Sequence, residues 1–307
     1  MNGVFSRKLL TIGSSNNAAA DLSDIDFMSE KLDPRIKYQC VSSHAYYAAD
    51  GAIKYADPNV WPLEYRNGVA AGRHEPEPQR TNHLPYSDKL SVWAKNGQVI
   101  SVTPGGPANP SGVASYQVTV GAEAQSGVFY THSNMTQGQT YSASITGYKQ
   151  GIQEFTIGDT LLGGQPISVN FNSKTSTLPA PFNYRFADIN AKWVRYAFSG
   201  VSTDSKPSGL VVYSRTATAG TFSVCSVQLE TGGFVTSPIV TNGAAATRAA
   251  AFVSVQNPGG LATSLRVNYS DGTTDIINFS GASDIDLSPS TRDWGTRYIT
   301  KCEYIKA

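Results

Sequence analysis

The sequence predicts an all-β protein: a jelly-roll-like antiparallel sandwich, with a strand-rich N-terminal connector and a small C-terminal β-domain. Three observations favour this fold class. Short segments alternate apolar and polar residues with a period of two, turns rich in glycine and proline separate these segments, and no long helical pattern intervenes. A chain of 307 residues is long enough to bury such a core.

The first part of the chain divides into an arm and a connector. Residues 1–20 are polar and weakly patterned, so we expect an arm whose order depends on neighbouring proteins. Residues 21–84 form the predicted connector, because residues 22–27 alternate and Asp50-Gly51 is a hairpin signal between two apolar segments. Short strands and ordered loops are therefore expected here.

A Pro-Glu-Pro tripeptide at residues 76–78 marks the approach to the sandwich. Two prolines two residues apart keep the backbone extended and exclude a helix. We therefore predict that Gln79, Arg80 and Asn82 form a hydrogen-bonded seam where one layer of strands leads into the next.

The predicted sandwich occupies residues 85–248, and the small C-terminal β-domain occupies residues 249–307, with a hairpin turn at Asp271-Gly272. Seven or more alternating segments separated by short turns are typical of a sandwich. The apolar positions expected on the strands of the sandwich are Tyr116, Val118 and Val120; Val128 and Tyr130; Tyr141, Ala143 and Ile145; Ile167, Val169 and Phe171; Val194, Tyr196 and Phe198; Leu210 and Val212; Val227 and Leu229.

Charge and hydropathy exclude several classes of partner. Lysine and arginine number 24 against 23 acidic residues, which gives a net charge of +1. Since a nucleic-acid-binding surface needs a basic excess, we expect no nucleic acid as partner. No segment approaches the roughly 20 apolar residues that span a bilayer, so we expect no membrane insertion. The amino terminus lacks the apolar region of a secretion signal, which predicts assembly in the cytoplasm.

Motifs for metal or nucleophilic chemistry are missing from the sequence. The four histidines form neither H-x-x-x-H nor H-E-x-x-H, there is no EF-hand spacing, and there is no G-x-S-x-G. The cysteines lie far apart without C-x-x-C spacing, so we expect reduced, buried thiols. We therefore expect no cofactor, no metal, no catalytic residue and no enzyme. The residues concerned are His44, His74, His83, His132, Cys40, Cys225 and Cys302.

Paired carboxylates are the one feature that favours hydrolysis of a polysaccharide, which needs two acids facing one cleft. In two of the pairs the sequence reads Ser-Asp-Ile-Asp, and alternation places both carboxylates on the polar face of one strand. A solvated strand face explains these two pairs better, and charge in a loop explains the third equally well. The pairs are Asp24 with Asp26, Asp284 with Asp286, and Glu75 with Glu77.

Three residues are the candidates for binding a glycan, which proteins hold by stacking aromatic rings on sugar faces and by hydrogen-bonding the hydroxyls. Alternation places Trp193 and Arg195 opposite the apolar face of their segment, and Tyr148 opposite that of another. If both segments belong to one sheet, its exposed face carries Tyr148, Trp193 and Arg195. The alternative is that Trp193 and Arg195 cover a sheet edge or meet another domain.

Several pieces of the sequence carry a resemblance to a known family. They are LDPRI at residues 32–36 with YAADGAIK at 47–54; EPQRTNHL at 77–84 with YSD at 86–88 and Trp93; VQLETGGFVTSPI at 227–239 with TRAA at 247–250; and KWVRY at 192–196. Their order and spacing resemble tailed-bacteriophage and prophage virion proteins, of tail or tail-fibre type, that contain a carbohydrate-binding-module-like β-sandwich. The resemblance covers roughly residues 20–250.

This resemblance implies a structural subunit of a tailed-phage virion, associated with the tail or fibre, whose sandwich binds host glycan for attachment. It implies other virion proteins and symmetry-related copies as partners, with a trimer expected because phage fibres are commonly threefold. Capsid decoration or a head-fibre role is the alternative, and a polysaccharide depolymerase is a third. The location implied is the virion, after assembly in the cytoplasm of the host bacterium.

Overall fold

The computed structural model describes residues 21–157, 167–203, 205 and 207–306, and of residues 132–134 and 207–209 it describes the backbone alone. The predicted arm, residues 1–20, lies outside the described residues. The all-β prediction is confirmed, since the regular structure consists of antiparallel strands and two short 3-10 helices. No helix of the described part is long and apolar enough to cross a membrane.

The strands follow one another through the chain with short connections. In the first and last parts they are β1 (Ile25–Asp26), β2 (Ile36–Gln39), β3 (His44–Tyr47), β4 (Ile53–Ala56), β5 (Glu64–Arg66), β6 (Val69–His74), β7 (Arg80–Asn82), β20 (Ala246–Arg248), β21 (Phe252–Gln256), β22 (Ala262–Tyr269), β23 (Thr274–Asn278), β24 (Asp284–Asp286) and β25 (Tyr298–Lys306). The 3-10 helices span Leu90–Val92 and Pro258–Gly260.

The middle of the chain supplies the strands of the sandwich. They are β8 (Ala94–Asn96), β9 (Val99–Ala108), β10 (Ala114–Val120), β11 (Gly127–Asn134), β12 (Thr140–Tyr148), β13 (Glu154–Ile157), β14 (Ile167–Asn170), β15 (Thr175–Ser176), β16 (Asn183–Asp188), β17 (Trp193–Val201), β18 (Pro207–Ser214) and β19 (Gly220–Thr231).

Two six-stranded sheets form the sandwich. The front sheet has the order β16-β17-β12-β19-β10-β9, and the back sheet has the order β15-β14-β13-β18-β11-β8. The chain passes repeatedly from one sheet to the other, as in a jelly roll. The apolar positions predicted from alternation, among them Val118, Ile145, Tyr196 and Val212, lie in the core between the two sheets.

The remaining strands form what we call the terminal unit, made of residues 21–82 and 246–306. Its largest sheet has the order β23-β22-β25-β6-β5, with β1 also paired to β25. A smaller sheet has the order β2-β21-β24, and β7 pairs with β20. One apolar core joins the two ends of the chain, because Phe27 and Trp61 pack in the same cluster as Val253 and Leu265.

This pairing corrects the predicted separation of residues 21–84 from residues 249–307. Strands from both ends of the chain share sheets, so the connector and the small C-terminal β-domain are one body rather than two. The reason is physical. Each end supplies too few strands to bury its own apolar face, and antiparallel pairing with the other end covers it.

The terminal unit packs on part of the outer face of the front sheet. We call this contact the seam. Its apolar members are Ala45, Tyr47, Ile53, Trp193, Cys225 and Trp294. Its buried polar members are Glu77, Asn82, Arg195, Gln228, Glu230, Ser237 and Arg248.

Candidate functional site

The two strands that carry the predicted glycan-binding residues do lie side by side. Strands β12 and β17 are antiparallel neighbours, with Tyr148 opposite Trp193 and Thr146 opposite Arg195. The alternation is also as predicted, because Tyr196 of β17 faces the core. Tyr148, Trp193 and Arg195 therefore share the outer face of the front sheet.

That face is not exposed at two of the three residues. Trp193 is 2% exposed and Arg195 is 3% exposed, so the expectation that they stand open to solvent is wrong. The hairpin of β3 and β4 and the ring of Trp294 cover them, as members of the terminal unit. The alternative interpretation, in which they meet another domain, describes their place in the structure.

Specific bonds hold both residues in the seam. The indole Nε1–H of Trp193 donates to the carbonyl of Ala108 at 2.9 Å. The guanidinium of Arg195 donates to Oγ of Ser144 at 2.8 Å and to the carbonyl of Thr236 at 2.9 Å. Burial lowers the pKa of Arg195 below its usual range. Neither side chain is available to stack on a sugar in this arrangement.

Glu77 and Arg248 form a buried ion pair at the centre of the seam. Nη1 of Arg248 lies 3.1 Å from Oε2 of Glu77, and both side chains are almost fully buried. Ser237 donates to the same carboxylate through its backbone N–H at 2.7 Å and its hydroxyl at 2.6 Å. Burial alone raises the pKa of Glu77, but the charges of Arg248 and His74 and the hydrogen bonds from Ser237 together hold this pKa below the usual value.

A second group of buried titratable side chains lies next to this pair. Nδ1 of His74 lies 2.5 Å from Oε1 of Glu64, and the His44 ring meets the His74 ring edge-on at 5.3 Å. Burial alone lowers the pKa of His74, but the bond to Glu64 together with the charges of Glu64 and Glu77 raises this pKa above the usual value. Burial, together with the charge on His74, lowers the pKa of His44 to about 3.

Asn82 makes hydrogen bonds between one layer of strands and the next, as the sequence predicts for its segment. Its amide donates to the carbonyls of Val227 at 3.2 Å and Ile239 at 3.0 Å, and its Oδ1 accepts from the N–H groups of Leu84 and Leu229. Gln79, by contrast, is exposed. The prediction is therefore confirmed for Asn82 and wrong for Gln79.

Arg80 is the third member of that prediction. Its guanidinium lies 4.7 Å from the centre of the Phe234 ring and bonds the carbonyl of Gln79 at 3.2 Å. It thus packs beside the seam through an aromatic contact rather than through bonds across it.

The carboxylate pairs occupy different environments. Asp24 faces solvent beside Lys301 at 3.2 Å, and Asp284 lies 3.8 Å from Lys37, as expected for solvated strand faces. Glu75 and Glu77 lie in a loop, as predicted, but both are buried and paired with arginines rather than solvated. Glu75 pairs with Arg297 at 2.6 Å.

The three cysteines are free and buried, as predicted. Cys225 lies in β19, and burial raises the pKa of its thiol. Within the described ranges, no group of three or more His, Cys, Asp or Glu side chains converges as a metal site would require. The side chain of His132 lies outside the described residues.

The open part of the front sheet carries a groove, which we call the Tyr148 groove. Its volume is about 320 Å³, and it begins where the terminal unit ends. The ring of Tyr148 rests on Trp193, with centroids 5.1 Å apart, and its hydroxyl donates to Oε1 of Gln150 at 3.0 Å. The groove is lined by Pro107, Gln117, Tyr148, Gln150, Gly151, Thr221, Phe222 and Ser223.

Tyr148 is thus the one predicted glycan-binding residue that remains accessible, and sequence reasoning missed its polar neighbours. Alternation along the strands predicts the orientation of two of them, Gln117 and Thr221. In β10, Val118 and Val120 face the core, so Gln117 faces outward on the same side as Tyr148. The same alternation places Thr221 outward, because Phe222 and Val224 of β19 face the core, but only the pairing of β10 with β19 brings Thr221 and Gln117 together, and Gln150 lies beyond the end of β12.

Comparison with known proteins finds a weak similarity of fold to a solved structure. No protein-family model and no curated protein matches this chain. Among solved structures, the N-terminal cellulose-binding domain of β-1,4-glucanase C from Cellulomonas fimi matches 47% of this chain and 91% of its own, at 16% identity and a TM-score of 0.29. The structure itself establishes an all-β sandwich joined to a β-rich terminal unit.

Proposed function

We propose that this chain is a non-catalytic, glycan-binding structural subunit of a tailed-phage virion, in which the Tyr148 groove holds a host-surface sugar. One observation carries the binding role. A partly exposed tyrosine stands in a groove whose other side chains are amides, hydroxyls, a proline and a phenylalanine, and none of the lining residues is charged.

This combination fits the chemistry of a sugar. The ring of Tyr148 offers an apolar surface for one face of a pyranose, while the amides of Gln117 and Gln150 both donate and accept hydrogen bonds. The hydroxyls of Thr221 and Ser223 add further partners. Because Tyr148 rests on the buried Trp193, its ring is already oriented before a ligand binds, which reduces the entropy lost on binding.

The seam supports the structural part of the proposal. The segments that carry the resemblance to phage virion proteins supply Glu77, Asn82, Trp193, Leu229 and Arg248, and these residues meet at the seam. The resembling segments therefore hold the sandwich and the terminal unit in one fixed orientation. A rigid two-part body of this kind suits a subunit that transmits contact from a particle to a surface, with symmetry-related copies and other virion proteins as its neighbours.

A glycan array with the full chain tests the binding role. We expect retention of specific glycans by the native protein, loss of retention with Tyr148→Ala, and unchanged retention with Tyr184→Ala. Tyr184 is the matched control because it is an exposed tyrosine on β16, at the edge of the same sheet. Equal retention by the native protein and Tyr148→Ala would contradict the proposal.

The absence of turnover is tested on the glycans that the array retains. We expect no release of reducing ends after prolonged incubation with the native protein. Product that accumulates with time and enzyme concentration would contradict the non-catalytic role and favour a depolymerase.

A further inference from the structure

The Tyr148 groove is the first of three neighbouring grooves on the surface of the sandwich, each of which shares lining residues with the next. A middle groove of about 450 Å³ shares Gly151 and Thr221 with it. A far groove of about 270 Å³ shares Glu154 and Asn170 with the middle one. Together the three form a track that starts on the outer face of the front sheet and ends on the back sheet.

The first junction depends on a glycine. Gly151 has a φ of +80°, and a Cβ at this position would lie 2.2 Å from the carbonyl oxygen of Thr221. The backbone therefore approaches β19 more closely than a residue with a side chain allows, and the N–H of Ile152 donates to the same carbonyl at 2.9 Å. Gly151 and Thr221 therefore form the boundary that the Tyr148 groove and the middle groove share, and Gly151 adds no side chain to it.

The second junction lies at the end of the β13–β14 hairpin. Glu154 and Asn170 are cross-strand partners, and both line the middle and the far groove. The Asn170 side chain is fixed, because its Oδ1 accepts from the N–H groups of Asn172 and Ser173 at 3.0 and 2.9 Å. Beyond this junction the far groove offers hydroxyls and the guanidinium of Arg215.

The charges along the track indicate the class of ligand. The lining residues of the three grooves include one carboxylate, Glu154, and one guanidinium, Arg215, so the formal charge of the track is −1 + 1 = 0. A site that selects a polyanionic glycan needs an excess of cations. Hydroxyls and amides that both donate and accept suit a neutral, polyhydroxylated chain instead.

The path of the track indicates the length of the ligand. Packed sheets lie about 10 Å apart, and the track runs from the outer side of one sheet to the outer side of the other. A single sugar ring in the Tyr148 groove does not reach Arg215. We therefore infer that the chain binds a linear, neutral oligosaccharide that crosses one end of the sandwich, at the connections that follow β12 and β18, and contacts both sheets. This inference rests on the proposed function of the Tyr148 groove.

Calorimetric titration of the full chain tests the inference. The probes are malto-, cello- and xylo-oligosaccharides graded from the disaccharide to the hexasaccharide. For the series that binds, we expect the affinity to rise with chain length. Arg215→Ala is expected to weaken hexasaccharide binding about tenfold and to leave disaccharide binding unchanged, because the short ligand never reaches the far groove. Tyr148→Ala is expected to weaken binding of both.

Matched controls separate the outcomes. Arg292→Ala removes an exposed arginine away from the track and is expected to bind every probe as the native protein does. An affinity that stops rising at the disaccharide, or hexasaccharide binding that is unchanged in Arg215→Ala, would overturn the track and leave the Tyr148 groove intact. Tighter binding of oligogalacturonides than of neutral chains would overturn the neutral ligand. Binding that is unaffected by Tyr148→Ala, or no binding in any series, would overturn the proposed function as well.

Discussion

The outer face of the front sheet has two halves, and the same strands form both. The terminal unit covers one half and leaves the other open. The covered half buries Trp193, Arg195 and Glu230 under the terminal unit, while the open half presents Tyr148 and Gln117 in a groove. Both halves alternate in the same way along the strands. The comparison teaches that alternation decides which face a side chain occupies, and that the element packed on this face decides whether the side chain stabilises the fold or remains free to bind.

The largest expected effect lies in the covered half. Arg248→Met leaves the carboxylate of Glu77 buried without its cation, and we expect a loss of about 3–5 kcal/mol in the free energy of unfolding. The control is Arg266→Met, since Arg266 pairs with Glu303 at 3.1 Å on the surface, where a loss below about 1 kcal/mol is expected. Denaturant unfolding measures both, and equal losses would contradict the distinction between buried and exposed pairs.

The second-largest loss of stability is expected at Asn82, whose side-chain amide bonds the terminal unit to the sandwich. Asn82→Ala removes a side chain that makes four hydrogen bonds to buried backbone groups, and we expect a loss of about 3 kcal/mol, because these groups remain without partners. Asn96→Ala is the control, since Asn96 is exposed and bonds one carbonyl. A loss in Asn82→Ala no larger than in Asn96→Ala would remove Asn82 from the set of residues that hold the seam.

The covered half should also make stability depend on pH. The pKa of His44 falls from 6.5 in the unfolded chain to about 3 in the folded protein, so the unfolded state takes up a proton first as the pH falls. Stability contributed by neutral His44 is therefore present above pH 6.5 and is lost progressively toward pH 3. At pH 5 the lost contribution amounts to about 2 kcal/mol in the free energy of unfolding. Between pH 7 and pH 5, His44→Gln should therefore lose about 2 kcal/mol less stability than the native protein.

Other titratable or charged groups face His44, and their signs differ. The contribution of His74, whose pKa is raised, is fully present below pH 6.5 and is lost as the pH rises through its folded pKa. The contribution of Glu77, whose pKa is lowered, is present above pH 4.5 and is lost as the pH falls through its folded pKa. Tyr38, whose pKa is raised, stays neutral throughout this range, and the remaining charged neighbour of His44 is the guanidinium of Arg248. An identical drop between pH 7 and pH 5 in the native protein and His44→Gln would show that the His44 interpretation is wrong.

The smallest effect on stability is expected in the open half. Tyr148→Ala should lower the free energy of unfolding by about 1 kcal/mol, because its ring is only partly buried against Trp193, while it abolishes glycan retention. Trp193→Phe provides the contrast across the strand. It should lower stability through the lost bond to Ala108 and retain glycan binding in the folded fraction. A large loss of stability in Tyr148→Ala would place Tyr148 with the covered half.

The sequence predicts which positions of a strand face the core, but it does not predict contacts between distant segments. The core-facing positions of β17 and its pairing with β12 follow from a period-two pattern, and both are confirmed. The burial of Arg195 does not follow from that pattern, since the covering ring of Trp294 lies about a hundred residues further along the chain. The partner of Glu75 is equally remote, because Arg297 is 222 residues away in sequence.

The sequence by itself determined the strand-rich class, the core-facing positions of the sandwich strands it listed, and the buried free cysteines. Backbone geometry imposes these locally, since successive side chains on a strand point to opposite faces. Only the tertiary structure decided that the two ends of the chain form one unit, which half of the front sheet this unit covers, and that Tyr148 stays open beside Gln150 and Thr221. These features depend on contacts between distant segments, and no local pattern encodes them.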